Sequence, residues 1–562
     1  MRLFNEIRLD NLRGDLFGGV TAAVIALPMA LAFGVATGAG PAAGLYGAVL
    51  VGLFAALFGA TPTLISEPTG PMTVVMTAVI ASLIALDPEQ GMAMAFTVVM
   101  LAGVFQILFG LLRLGKYVTL MPYTVVSGFM TGIGLILIVL QIGPFLGQAA
   151  PGGGVLGTLG ELPALIAGIE PAETLLALAT LALILFFPRR WRRVLPPQLL
   201  ALVLGTLVSL WLLGDSEIRR IGEISSGLPE LQLPVFSAEQ WRRMLTDALV
   251  LAALGSIDAL LTSVIAESMT RKPCSADKEL VGQGLGNLAS GLCGGIPGAG
   301  ATMGTVVNIQ TGARSALSGI ARALILLVVV LWAGGLTAQI PLAVLAGIAM
   351  KVGLDIVDWS FLRRAHRVSF KAAAIMYAVI GLTVFVDLVT AVALGMFVAN
   401  LLTIDRLSRL QSREVRAIQH PDDPAATIRL SDDEQALLER GGGRVLLFTL
   451  GGPLIFGLAK AISRQHAVLE DHDVLILDVT EVPLLGVSSS LALERLVLED
   501  LEQGRTVILA GARGEVSARL EQLGLLARLP AKHLVADRAG ALALAERLLE
   551  SRAASSTPID GR

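Results

Sequence analysis

The chain has 562 residues, of which 54% are hydrophobic and only 15% are charged, with a formal net charge of −3. A soluble globular chain is about one-quarter charged, so this chain has too little polar surface to face water on all sides. The near-balanced charge argues against a nucleic-acid-binding protein. The two cysteines, Cys274 and Cys293, provide neither a disulfide framework nor a metal-ligand pattern. The composition therefore predicts a protein embedded in a membrane.

The first 404 residues contain apolar runs long enough to cross about 30 Å of hydrocarbon. The clear runs are 16–37, 44–58, 92–112, 125–146, 175–187, 199–213, 248–266, 320–332, 343–357 and 372–404, the last long enough for two spans. Weaker stretches, interrupted by Gly, Pro and Thr, lie near 69–84, 280–293 and 302–311. Together these segments predict a transmembrane domain over residues 1–404 with about fourteen spans.

Basic residues indicate how this domain is oriented. With the N-terminus in the cytoplasm, most Lys and Arg clusters lie inside, whereas 147–173, which has no Lys or Arg, lies outside. The inside clusters are Arg113 with Lys116, the run at 189–193, Arg271 with Lys272, and the arginines at 363–367. The loop 214–243 departs from this pattern, since it carries four arginines yet falls outside. The pattern predicts a multi-pass protein of the inner (plasma) membrane whose N-terminus and tail are cytoplasmic.

An internal repeat appears at an offset of 232 residues. Asp15 corresponds to Asp247, Pro41 to Pro273, and the tripeptide 73–75 to 305–307, without a gap. The repeated units cover about 12–213 and 244–404. If each holds about seven spans, an odd number, the second copy enters the membrane inverted, as in many transporters.

Two Gly/Pro-rich segments occupy equivalent places in the repeat. They are SEPTGP at 66–71 and PGAGAT at 297–302, and each precedes a short apolar segment. Pro and Gly interrupt a helix, and the next helix then begins with unpaired N–H groups and a partial positive charge. Non-helical backbone at membrane depth survives only where it is buried or lines a polar cavity. We therefore expect an anion site where these two helix starts meet.

Asp258 is the most informative single residue, because it lies within the apolar run 248–266. A mid-membrane carboxylate is costly unless it is paired or solvated, so a functional role is the default hypothesis. Thr262 is four residues later, on the same helical face, and the run contains no basic residue. Oxygen ligands of this kind suit a hard cation such as Na⁺. A neutral, hydrogen-bonded aspartate and a proton carrier are the alternatives.

The chain beyond the membrane domain has a different pattern. Residues 445–450, 474–479 and 506–510 read as buried strands, and 488–503, 515–526 and 539–549 have helical periodicity. We predict a small α/β domain at 441–551, preceded by a polar linker with some helix at 405–440. Residues 552–562 are predicted to be a disordered tail.

Residues 14–34, PTLISEPTGPMTVVM at 62–76 and GAGATMGTVVNIQ at 298–310 resemble the SulP anion-transporter family, and within it most closely the sodium-dependent bicarbonate transporters. The resemblance covers nearly the whole chain. It implies two inverted seven-span repeats arranged as a core and a gate domain, which alternate access by an elevator-type movement. It also implies that the cytoplasmic α/β unit is a STAS domain that helps to form a homodimer.

The resemblance also assigns roles to individual residues. It implies an anion pocket made by the Thr69 side chain and by backbone at Gly70, Ala301 and Thr302. It implies a sodium site made by Asp258 and Thr262 with backbone carbonyls near Gly300, Ala301 and Thr302. Sodium would be the coupling ion, and no other cofactor is implied.

One position in the tail is a candidate regulatory site. Residues 482–491 resemble the STAS segment at which related anti-sigma antagonists are phosphorylated, and Ser488 stands at that position. The acidic residue and the glycine usual in that segment are replaced here by Gly486 and Ser489.

The expected function is Na⁺/bicarbonate symport. Proton-coupled symport of sulfate or a dicarboxylate is the alternative within the same class, because a pocket of backbone, Thr and Gly sets the sign of the charge better than the identity of the anion. A membrane sensor that signals through its STAS domain is a third hypothesis. We expect no enzyme activity, since the sequence has no nucleotide-binding loop or metal cluster, and the first 404 residues have no histidine near a nucleophile apart from His366 in a basic loop.

Overall fold

The computed structural model describes residues 4–118, 122–188, 196–211, 217–222, 229–332, 334–386, 388–420, 422, 430–455 and 472–556. The basic run at 189–193 lies outside these residues. The chain divides into two compact units, Met1–Ala399 and Asn400–Arg562. The boundary falls close to the predicted end of the membrane domain at residue 404.

Among the described residues, the first unit is helical apart from two strands of two residues each. Its first half contains α1 (Leu12–Thr37), α2 (Pro41–Phe58), β1 (Ser66–Glu67), α3 (Gly70–Leu86), α4 (Gly91–Leu111), α5 (Gly115–Val118), α6 (Tyr123–Leu140), α7 (Ile142–Phe145), α8 (Gly154–Gly160), α9 (Leu162–Ala167), α10 (Pro171–Phe186) and α11 (Pro197–Trp211). Its second half contains α12 (Trp241–Thr270), α13 (Ala276–Leu292), β2 (Ala299–Gly300), α14 (Thr302–Gln310), α15 (Leu317–Trp332), α16 (Gly334–Thr337), α17 (Leu342–Ile356), α18 (Trp359–Val368), α19 (Phe370–Phe385) and the first part of α20 (Leu388–Arg413), which continues past Ala399.

Among the described residues, five helices are long and apolar enough to cross a membrane: α1, α2, α4, α6 and α12. Five shorter apolar helices accompany them: α3, α10, α11, α15 and α19. The long run predicted at 372–404 is divided between α19 and α20, as its length suggested. The unit is therefore a bundle of membrane helices, some of which are too short to span alone.

The same order of elements occurs twice. Two helices, a two-residue strand and a shorter helix follow one another as α1, α2, β1 and α3, and again as α12, α13, β2 and α14. Helix α3 begins at Gly70 and α14 begins at Thr302, which is a separation of 232 residues (302 − 70). This separation equals the offset of the repeat predicted from the sequence.

Helices α4 and α13 pack closely because glycines face each other between them. A Cβ added to Gly103 would lie 2.5 Å from the carbonyl oxygen of Gly284, and a Cβ added to Gly284 would lie 2.5 Å from the carbonyl oxygen of Gly103. Such contacts between small residues let membrane helices approach backbone to backbone. This contact fixes α13, whose polar face supports the site described below.

In the part of the second unit that the structure describes, a five-stranded sheet in the order β3-β4-β5-β6-β7 has helices on both sides. Strand β3 is antiparallel to β4, and the remaining pairs are parallel. The elements after α20 are β3 (Val415–Ile418), α21 (Asp432–Arg440), β4 (Val445–Gly451), β5 (Val474–Glu481), α22 (Val487–Glu502), β6 (Thr506–Ala510), α23 (Gly514–Gln522), α24 (Leu525–Arg528), a 3₁₀ turn (Ala531–His533), β7 (Leu534–Val535) and α25 (Arg538–Ser556).

The side chains of each strand alternate between the two faces of the sheet, and each face has its own hydrophobic core. In β4, Leu446 and Phe448 pack on one side of the sheet with α22 and α23. Val445 and Leu447 pack on the other side with α21 and α25. Successive side chains of a strand point to opposite faces, so the continuous apolar run of β4 marks a strand buried on both sides.

The structure revises two boundaries of the sequence-based division. The stretch predicted as a linker, 405–440, contains the end of α20, the sheet strand β3 and helix α21. The last helix continues to Ser556, five residues into the predicted tail, and residues 557–562 lie outside the described residues.

Candidate anion and cation site

The two Gly/Pro-rich segments lie side by side. Strands β1 and β2 form an antiparallel pair in which Ser66 is opposite Gly300 and Glu67 is opposite Ala299. The N–H of Ala301 extends the pairing by donating to the carbonyl of Ile65 at 2.8 Å. Both strands are buried. Two stretches more than 230 residues apart in sequence therefore meet inside the helical unit.

A helix begins immediately after each strand. Thr69 and Ala301 are the N-cap residues of α3 and α14, both have extended backbone, and neither N-cap side chain caps its helix. The first N–H groups of a helix have no partner within that helix, and its N-terminus carries about half a positive charge. A Cβ at Gly70 would overlap the terminal methyl of Ile356, so the Ile356 side chain packs against the start of α3. Each paired strand thus leads directly into a positive helix end.

Helix α12 contributes polar side chains next to β2 and α14. The Thr262 hydroxyl donates to the carbonyl of Gly300 at 2.9 Å, and its oxygen lies 3.0 Å from the Thr302 hydroxyl oxygen. Thr262 is buried, whereas Thr302 is exposed. These contacts bring together three of the residues predicted to hold sodium.

Asp258 lies one turn earlier on α12 and is 8% exposed. Its Oδ2 atom has no hydrogen-bond partner among the described residues. The carboxylate interacts with the Thr69 side chain, although Thr69 Oγ1 makes no hydrogen bond of normal geometry. A buried carboxylate oxygen without a partner, close to hydroxyl and carbonyl oxygens, fits a hard cation such as Na⁺. The residues predicted for the cation and for the anion are therefore neighbours.

Sequence reasoning missed a line of polar side chains on α13. Glu279, Gln283, Asn287 and Ser290 are at most 1% exposed and recur at helical spacing along one face. The spacing of these four residues is the signal that could have revealed this face, within a stretch marked only as weakly apolar. Among the described residues, each of them binds the backbone or a side chain of the two segments that lead into α3 and α14.

The first two residues of this line bind the segment before α3. The Glu279 carboxylate accepts hydrogen bonds from the N–H groups of Ala60 and Thr61, both at 2.8 Å. Gln283 Nε2 donates to Ser66 Oγ at 2.6 Å and to Glu279 at 3.0 Å. These bonds satisfy backbone N–H groups that a membrane interior would otherwise leave unpaired.

The last two residues bind the segment before α14. Asn287 Nδ2 donates to the carbonyl of Gly298 at 2.9 Å, and its Oδ1 accepts from the N–H of Gly298 at 2.8 Å. Asn287 also donates to Gln106 on α4 at 2.8 Å. The Ser290 hydroxyl donates to the carbonyl of Ile296 at 2.8 Å. One face of α13 therefore holds both the stretch that leads into α3 and the stretch that leads into α14.

A buried ion pair joins α15 to β1, and it too was not predicted from the sequence. Arg322, on α15, is fully buried and binds the carboxylate of Glu67. It also donates to the carbonyls of Ser66 at 3.0 Å and Ala48 at 3.2 Å. The signal in the sequence is an arginine inside the apolar run 320–332.

The candidate regulatory residue lies in the second unit. Ser488 is the second residue of α22 and is exposed, whereas the next residue, Ser489, is buried. Gly486 is the N-cap of α22 and its N–H donates to the carbonyl of Leu454 at 2.8 Å. The hydroxyl of Ser488 is thus accessible at a helix N-terminus, where added negative charge is tolerated.

Comparison with known proteins agrees with this architecture. Residues 12–379 match the Sulfate permease family and residues 439–539 match the STAS domain. The chain is 62% identical over 542 residues, covering 96% of both chains, to the Bicarbonate transporter BicA of Synechocystis sp..

Two solved structures are also similar. The transmembrane domain of a cyanobacterial bicarbonate transporter BicA has a TM-score of 0.66 and 68% identity, and the match covers 69% of this chain and all of that one. Murine Slc26a9, an anion transporter, has a TM-score of 0.82 at 18% identity, over 96% of this chain and 92% of that one, which shows the fold alone. The relatives are transporters rather than enzymes, as the sequence led us to expect. The chain therefore belongs to the sulfate permease (SulP) family and is a multi-pass membrane transporter with a STAS domain.

Proposed function

We propose that this protein is a Na⁺/bicarbonate symporter that takes up bicarbonate across the plasma membrane. The pairing of β1 with β2 carries the anion assignment, because the paired strands lead into α3 and α14, whose starts at Thr69 and Thr302 lie against neighbouring turns of α12. Their N–H groups and helix dipoles attract an anion without a Lys or Arg side chain. The 62% identity with a bicarbonate transporter supports bicarbonate as that anion.

Thr69, Gly70, Ala301 and Thr302 would form the anion pocket. Gly70 and Thr302 would offer backbone N–H groups, and the Thr69 hydroxyl has no hydrogen-bond partner among the described residues. A hydroxyl can donate to the anion while the adjacent N–H groups bind other oxygens. Such a pocket recognises negative charge chiefly through dipoles, and the identity of the anion rests on the similarity to a bicarbonate transporter.

Sodium would bind beside this pocket. Asp258 and Thr262 would supply side-chain oxygens, and Gly300, Ala301 and Thr302 would supply backbone or hydroxyl oxygens. The bound cation would offset the cost of a buried carboxylate and add positive charge near the start of α14. Each ion would therefore raise the affinity for the other by the same factor, which couples the two fluxes.

The proposed architecture has about fourteen membrane segments in two inverted repeats. The segments are α1, α2, α3, α4, α6, α10 and α11 in the first repeat, and α12, α13, α14, α15, α17, α19 and α20 in the second. Seven is an odd number, so the second repeat would run in the opposite sense. A core domain that holds the ion sites would move against a gate domain in an elevator-type cycle.

We further propose that the N-terminus and the STAS domain lie in the cytoplasm and that the STAS domain supports a homodimer. Ser488 would be its accessible regulatory position. The basic residues at the end of α4 and after α12, Arg113, Lys116, Arg271 and Lys272, support this orientation through the positive-inside rule.

Uptake into liposomes tests the proposed function. Purified protein is reconstituted, and uptake of labelled bicarbonate, sulfate and succinate is measured in parallel with an inward Na⁺ gradient. We expect saturable bicarbonate uptake and little uptake of the other two. Uptake of sulfate or succinate without bicarbonate, driven by a pH gradient, would instead support the alternative symporter of the same family.

A further inference from the structure

The ion pair between Arg322 and Glu67 is unusual because both groups are buried in a membrane domain. Arg322 is 0% exposed and the Glu67 side chain is 7% exposed. A buried ion pair is weak evidence for stability, because desolvation of the two charges offsets much of their attraction. Since the desolvation cost of this ion pair offsets much of its contribution to stability, we expect the pair to have a role beyond packing.

Arg322 joins three elements through its guanidinium group. Nη1 donates to the carbonyl of Ala48 on α2 and to that of Ser66 on β1, and Nη2 donates to the carboxylate of Glu67. Arginine can bind several acceptors at once in a fixed planar geometry, which lysine cannot reproduce. Arg322 thus attaches β1, through backbone and side chain together, to α2 and α15.

Any displacement of β1 would be passed to both helix starts. Ser66 and Glu67 pair with Gly300 and Ala299, so β1 and β2 move together. The contact is tight, since a Cβ on Gly298 would lie 2.7 Å from the carbonyl oxygen of Glu67. Thr69, the N-cap of α3, is only two residues beyond Glu67. The position of β1 therefore sets how the two helix N-termini face each other.

We infer that Arg322 and Glu67 are positioning residues that determine anion affinity by holding the β1–β2 pair in place. The inference rests on the proposed anion site. It adds that the Arg322–Glu67 ion pair sets the position of the two helix N-termini in that site. Arg322 acts through β1, and its three acceptors belong to the protein.

Arg322→Lys is the direct test, because it keeps the charge but cannot bind Ala48, Ser66 and Glu67 together. For bicarbonate uptake we expect KM to rise roughly tenfold, because a displaced β1 leaves the helix N–H groups less well placed for the anion, with the maximal rate per folded transporter within about twofold. Arg219→Lys is the matched control: Arg219 binds Glu173 on α10 at 2.9 Å, away from β1 and β2, and KM should stay unchanged.

Hydrogen exchange provides a readout that does not depend on the substrate. Backbone amides of residues 64–70 should exchange faster in Arg322→Lys than in wild type or Arg219→Lys. If wild type takes up no bicarbonate, the proposed function fails, while exchange still decides whether Arg322 anchors β1. If the amides of residues 64–70 exchange at the wild-type rate in Arg322→Lys, the claim that Arg322 anchors β1 is wrong.

A charge-free variant covers the case in which Arg322→Lys does not fold. Glu67→Gln combined with Arg322→Met removes both buried charges, which avoids an unpaired charge in the core. We expect this variant to insert and to show the same rise in KM with a similar maximal rate. A KM within about twofold of wild type, in either folded variant, would contradict the positioning role.

Discussion

Asn287→Ala should destabilise the membrane domain more than its size suggests. Asn287 is 0% exposed. The substitution removes three hydrogen bonds, to the N–H of Gly298, to the carbonyl of Gly298 and to the Gln106 side chain. A buried polar group left without a partner costs about 1–3 kcal/mol, so three such groups cost roughly 3–9 kcal/mol. A water molecule that enters the space would recover part of this, and we expect a net loss of about 3–5 kcal/mol.

Ser290→Ala is the matched comparison on the same face of α13. It removes one hydrogen bond, to the carbonyl of Ile296, and should cost about 1 kcal/mol. Heating each variant in detergent and measuring the fraction that remains monodisperse gives apparent melting temperatures. We expect a fall of about 5 °C for Asn287→Ala and a much smaller one for Ser290→Ala. Equal melting temperatures for the two variants would refute the claim that Asn287 holds the segment before α14.

Three further predictions follow from other parts of the molecule. Asp258→Asn should give folded protein whose uptake is no longer stimulated by Na⁺, while Asp258→Glu should keep some activity with weaker Na⁺ affinity; Na⁺-stimulated flux in Asp258→Asn would contradict the cation site. Deleting residues 441–562 should lower the dimer fraction measured by light scattering in detergent, and an unchanged fraction would count against STAS-mediated dimerisation. Burial would raise the pKa of Asp500, but hydrogen bonds from His472 and Arg505 outweigh it and hold that pKa below its ordinary value. Its stabilising contribution is therefore complete above about pH 4 and is lost as the pH falls further. Hydrogen exchange at α22 in the full chain should accelerate over that range, and less so in Asp500→Asn.

The sequence predicted the interrupted segments well because their signal is local. Pro and Gly at 66–71 and 297–302 stop one segment and start another, and the structure begins α3 at Gly70 and α14 at Thr302. Strands β4, β5 and β6 were also found to within two residues, because strands buried on both faces form continuous apolar runs.

The residues that hold the site in place could not be predicted, because their contacts join positions far apart in the sequence. Arg322 and Glu67 are 255 residues apart, and Asn308, on α14, binds the carbonyl of Thr63 across 245 residues. A single sequence shows that an arginine lies in an apolar run but not which carboxylate it meets. Strand β3 was missed for a related reason, since Val415–Ile418 is a short edge strand within a polar stretch and is defined by its pairing with β4.

The coupling of bicarbonate to sodium is the central claim, and one uptake measurement tests it most directly. Wild-type protein in liposomes is supplied with labelled bicarbonate at a fixed pH, equal on both sides, with either Na⁺ or choline outside. The account predicts saturable uptake in Na⁺ and little uptake in choline, because Asp258 needs the cation before the anion binds tightly at Thr69 and Thr302. Undiminished bicarbonate uptake in choline would contradict it.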